Sequence, residues 1–182
     1  VQGQERERVE KLAELAQKNT AAAEQVKTLQ KQLGTSEGLK QGHFGALQTA
    51  QQEEIVLARD YDRTAVQYAQ GADLPELRQF GQQVREETRQ ELVRTLEQTL
   101  AKPVKDAADF QAKLQAAGYQ AQRDEQTKGT VLVHEVTGAR FKTAELQPNG
   151  QAIGPQLTAA VERTAQQAKS QSKGRDRGQS IG

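Results

Sequence analysis

The sequence predicts a mainly α-helical chain: long helices with a heptad-like seam, forming a helical hairpin or coiled coil, followed by a small α+β module. Three observations carry this reading. Apolar residues in the first hundred positions recur at helical spacing. Only 35% of the 182 residues are hydrophobic and 4% aromatic, too little to fill a large compact core but enough for helices that bury one narrow stripe. After Pro103 the texture changes to short segments punctuated by glycine, with one β-branched run. These shifts divide the chain into a helical region over 1–103, an α+β module over 104–167 and a disordered basic tail over 168–182.

Val9, Leu12, Ala16, Asn19, Ala23, Val26, Gln30 and Leu33 fall at alternating spacings of three and four, which predicts a helix over 5–33. Its seam is small and polar in places, so it needs a neighbouring helix; one arm of a hairpin fits better than a homodimeric coiled coil. Gly34 and Gly38 end it. A second helix over 44–70 carries Leu47, Ala50, Leu57, Tyr61, Ala65 and Tyr68 on one stripe, interrupted by Glu54 and closed by Gly71. A third, over 74–101, has Asp73 as N-cap and Pro75 in its first turn. Leu77, Phe80, Val84, Leu92, Leu96 and Leu100 form its stripe, with a polar gap around Thr88, and Pro103 stops it.

In the module, Asp106–Ala117 is a short amphipathic helix with Phe110 and Leu114 on one face and Gly118 just past its end. Tyr119–Gln122 extends as a strand. Thr130–Val136, reading TVLVHEV between glycines, is the strongest strand, paired through a tight turn at Thr137 and Gly138 with Ala139–Thr143. Pro155 opens a last helix ending near Gln167. Phe110, Leu114, Val131, Val133 and Phe141 are expected to share one core.

Composition also bounds the chemistry. There is no Cys, so neither a disulfide nor a thiol nucleophile exists, and a cytoplasmic setting fits. There is no Met, even at position 1, which suggests that the sequence begins inside a longer protein or has been processed. No apolar run reaches membrane-span length. The net charge of +1 gives no general attraction to nucleic acid. The two histidines, His43 and His134, are far apart, and His134 would face the opposite side of its strand from Glu135. No phosphate-binding glycine loop occurs. Tyr61, flanked by Asp60, Asp62 and Arg63, sits on the apolar stripe and reads as core. No catalytic, cofactor or metal site is therefore expected. The tail places Lys169, Lys173, Arg175 and Arg177 close together, a candidate for phosphate contacts.

DFQAKLQAAGY at 109–119 and TVLVHEVTGARFKTAEL at 130–146 run in the order short helix, Gly, strand, turn, strand with an aromatic, then Leu. Phe110, Leu114, Gly118, Gly138, Phe141 and Leu146 carry this pattern. In it, the stretch from about 104 to 160 resembles the region downstream of the nuclease in relaxase-type mobilisation proteins of plasmids and transposons. The likeness covers about a third of the chain. The charged helical region before it is similar to the segment C-terminal to a relaxase nuclease core. The His-x-His metal motif of that family is missing, and neither histidine lies near a candidate Tyr nucleophile, so no nuclease residue carries over. The resemblance implies an accessory role in DNA transfer: helical packing, a protein partner or self-association through the helices, and auxiliary DNA contacts through the tail. The competing expectation is a structural coiled-coil scaffold unconnected with DNA.

Overall fold

The computed structural model describes the backbone of residues 2–34 and 41–179 and the side chains of residues 3–34 and 44–172. The described chain is mainly helical, with a small three-stranded antiparallel sheet after the first helices. The elements run α1 (Gln2–Leu33), α2 (Gln41–Ala69), α3 (Pro75–Ala101), α4 (Ala107–Ala116), β1 (Tyr119–Arg123), β2 (Thr130–His134), β3 (Arg140–Lys142) and α5 (Ile153–Gln179). Contacts group them into two compact units, Val1–Arg85 and Glu86–Gly182.

In the first unit α1 packs along α2. Leu12, early in α1, shares a core with Ala65, late in α2, so the two run antiparallel as a helical hairpin. Burial does not keep a strict seven-residue repeat. Leu12, Ala22 and Val26 are buried, whereas Gln30 of the expected seam is exposed. Alanines at Ala22, Ala50 and Ala65 line the buried positions, so the helices meet through small side chains. Tyr61 lies half-buried against the core as its stripe position predicts. The Arg8 guanidinium sits 5.1 Å from the Tyr68 ring centre, within the range of a cation–π contact.

The turn into α3 uses Gly71 at φ +68°. Its free backbone N–H groups are met by a carboxylate from afar rather than by Asp73. Glu5 is only 6% exposed, and it accepts hydrogen bonds from the N–H groups of Asp73 at 2.8 Å and Leu74 at 3.1 Å. A negative group here also complements the helix dipole. Gly81 faces α2 so closely that a Cβ would lie 2.2 Å from Cβ of Ala69.

The second unit begins inside α3, not after Pro103 as the change of texture suggests. The reason is burial: Leu92, Leu96 and Leu100 join the core of the α+β module. The polar gap at Thr88 is also buried, at 5% exposure. Asp106 caps α4, its carboxylate accepting the Asp109 N–H at 2.8 Å, while the Asp109 carboxylate accepts the Lys105 N–H at 3.0 Å. Gly118 at φ +94° turns the chain into β1.

The sheet order is β1-β2-β3, with Ala121 opposite Leu132 and Leu132 opposite Phe141. The hairpin turn falls where expected: Gly138 takes φ +73°, and its N–H donates to the His134 carbonyl at 2.9 Å. Strand side chains alternate, so the face holding Phe141 also holds Tyr119, Ala121, Leu132 and His134. Phe110, Leu114, Leu132 and Phe141 share the core; Val131 and Val133 do not. They belong to the opposite face. The expected core thus had the right helix, the right returning strand and the wrong phase of β2.

The helix expected to end near Gln167 continues to Gln179, so positions 168–179 are helical rather than disordered. Alanine, glutamine and lysine from Ala165 to Lys169 are good helix formers, and no proline interrupts them. The last three positions of the expected tail, 180–182, lie outside the described residues.

Candidate binding surfaces

Three surfaces of the second unit bear on function. The first is a cleft of about 520 Å³ between α4, the sheet and the start of α5. Phe110 and Leu114 form one wall, Leu132 the floor, and Ile153 and Leu157 the other wall, with Thr130 and Thr143 among the polar groups of its lining. The loop before α5 is held by two side chains, the Glu97 carboxylate, which accepts the Asn149 N–H at 3.0 Å, and Gln156. The Gln156 amide nitrogen donates to the carbonyls of Pro148, Gln151 and Ala152 at 2.7, 3.0 and 3.1 Å. This clamp holds a segment in which Gln147 and Asn149 have positive φ, at 29° and 56°, a conformation with a cost for residues other than glycine.

The second surface is the sheet face turned away from the core. Two registered rungs cross it: Gln120–Val133–Arg140 and Gln122–Val131–Lys142. The glutamines and the two cations are exposed, Val133 is half-buried and Val131 buried. The Asp124 carboxyl, in the turn after β1, is held below its ordinary range. The largest cause is the hydrogen bond from the Gln126 N–H, followed by the Thr127 hydroxyl, with smaller contributions from Arg140 and Lys142.

The third is the basic end of α5. Lys169 is exposed, and positions 173, 175 and 177 lie further along the same helix, with the side chains of Lys173, Arg175 and Arg177 outside those described. The structure therefore places the backbone of the four expected phosphate-contacting residues on one helix.

Reactive groups are sparse. His134 is half-buried, its Nδ1 lying 3.0 Å from the Thr137 hydroxyl and its ring 5.1 Å from that of Tyr119. Tyr119 is 1% exposed, and its hydroxyl has no hydrogen-bond partner. Burial, with the nearby Glu91 carboxylate, raises its pKa, so the phenol stays protonated and is a poor nucleophile. Among the described residues no group of three His, Asp or Glu side chains could hold a metal ion. The side chain of His43 lies outside those described. Among the described residues no helix is long and apolar enough to cross a membrane.

Sequence reading missed the cleft and the outer sheet face. The four-residue spacing of Ile153 and Leu157 was a signal for the former. The latter needed the register of β2. No protein-family model, curated protein or solved structure matches the chain.

Proposed function

We propose that this chain is a non-catalytic accessory region of a cytoplasmic, relaxase-type DNA mobilisation protein. It packs through its helices, contacts a protein partner or a second copy, and adds auxiliary DNA contacts through Lys169, Lys173, Arg175 and Arg177. One observation supports the reading most directly. The six residues that carry the resemblance act together in one folding unit. Phe110, Leu114, Phe141 and Leu146 share a core, and Gly118 and Gly138 supply the two positive-φ turns around β1 and between β2 and β3. A pattern recurring for structural reasons would keep these positions together.

The test is a salt titration of DNA binding by the chain and by a variant with the four cations changed to Gln. Four lost phosphate contacts make the slope of log affinity against log salt shallower by up to about 3.6 for duplex DNA. Identical slopes, or no binding by the unaltered chain at low salt, would remove the DNA role. A scaffold unrelated to DNA is the second reading. Ile55 and Val56, neighbours on α2 and exposed at 46% and 53%, support it as a point of association.

A further inference from the structure

We propose that Asn149–Gly150 is a site of spontaneous covalent modification, and that its conversion unlocks the loop ahead of α5. The chemistry is deamidation, with water as the only co-reactant. The Gly150 amide nitrogen gives up its proton and attacks Cγ of Asn149. The new N–C bond closes a succinimide ring, and Nδ2 leaves as ammonia. Water then opens the ring at either carbonyl, leaving aspartate or an isoaspartate joined to Gly150 through its side chain.

Sequence and exposure single out this pair. Glycine follows the asparagine, so no Cβ hinders the ring-forming nitrogen. Both residues are exposed, so water reaches them. The chain holds one other asparagine, Asn19, which lies within α1 and is followed by β-branched Thr20. The folded loop slows the attack without abolishing it. The Gly150 N–H donates to the Gln147 carbonyl at 3.0 Å, and Asn149 Nδ2 donates to Gln156 Oε1 at 3.1 Å. Conversion therefore follows opening of the loop, in which Gln147 and Asn149 already carry the cost of positive φ.

The product does not rebuild the loop. Gln156 Nε2 donates to three carbonyls, which fixes the amide's orientation and leaves Oε1 facing residue 149. A carboxylate has no proton to give that oxygen. The new charge also joins that of Glu97, whose carboxylate accepts the Asn149 N–H at 3.0 Å. Arg163 lines the same depression and offsets part of this repulsion, but it restores no donor at residue 149. Isoaspartate further inserts an extra methylene into the main chain, which moves Gly150 away from Gln147. Gln147 and Ala152 line the cleft beside α4, so the loosened loop alters one side of it.

The experiment incubates the full chain at mildly alkaline pH and follows residues 149 and 19 by peptide mass spectrometry, with a sample in denaturant supplying the rate without the loop. The expected result is conversion at Asn149 with Asn19 intact, slower in the folded chain than in denaturant and faster as pH rises. Gln156→Ala removes the clamp and raises the folded rate about tenfold, the factor for about 1.4 kcal/mol of lost loop stability. In converted chains, and in Asn149→Asp, the amides of Gly150 and Gln151 exchange faster while those of β2 do not change. An intact Asn149 in the folded chain after the denatured sample has converted would overturn the proposal. Unaltered exchange at Gly150 and Gln151 in both the converted chain and Asn149→Asp would overturn the unlocking. Equal folded rates with and without the Gln156 side chain would overturn its control of the site.

Discussion

The two units solve the burial problem in different ways. The first joins long helices through small side chains, Ala22, Ala50 and Ala65, with only a few large ones such as Leu12 and Leu77. It also buries a carboxylate, Glu5, to complete the turn before α3. The second places Tyr119, Phe141, Leu92, Leu96, Leu114 and Leu146 at 2% exposure or less. Small-residue packing brings backbones close but removes little apolar surface per residue. Bulky packing removes much more, at about 25 cal/mol per Å². The second unit should therefore lose most from a truncated side chain, and the first from a lost polar cap.

Phe141→Ala sharpens that contrast most. The ring is fully buried, so its loss should cost about 3–5 kcal/mol. Chemical denaturation followed by hydrogen exchange should place the loss in residues 86–179 and spare α1 and α2. Equal loss of protection in both units would show one cooperative block rather than two.

Glu5→Ala probes the other side. It removes a charged acceptor from two backbone N–H groups, an effect of about 2–3 kcal/mol. The exchange of Asp73 and Leu74 amides should accelerate while β2 stays protected. Unchanged exchange at these two amides would mean that water replaces the carboxylate without cost.

The smallest effect is acidic. The Asp109 carboxyl is held below its ordinary pKa, first by the Lys105 N–H and next by Lys113. A depressed carboxyl pKa stabilises the fold above the unfolded value, near 3.9. That contribution fades as pH falls from there through the folded value. Asp109→Asn should therefore be less stable than the unaltered chain at neutral pH, with the gap closing toward acid. A gap independent of pH would assign Asp109 a purely neutral capping role.

Much of this fold was legible because helices and turns announce themselves locally. Pro75, Pro103, Gly118 and Gly138 bracket elements by backbone constraints that need no partner. The errors arose where the answer depends on a partner. TVLV at 130–133 is apolar at three successive positions, so its sequence does not say which parity faces inward; the pairing of Leu132 with Phe141 decides it. Leu92, Leu96 and Leu100 sit on the same helical stripe as Leu77 and Val84, and nothing local says that they serve another core. α5 exceeds the expected length; Ala165–Lys169 are good helix formers that carry it past Gln167, and nothing local accounts for its continuation through Gly174 and Gly178. Of the surfaces, the cations of α5 were visible in composition, while the outer sheet face existed only once register was known.

α3 has a consequence for where the chain could be divided. A recombination event joining new coding sequence at the apparent seam, just before Val104, would carry the sheet without the three leucines beneath it. The recipient would then have to supply an equivalent helix in the correct phase. The piece that carries its own core therefore starts at about Glu86, inside α3.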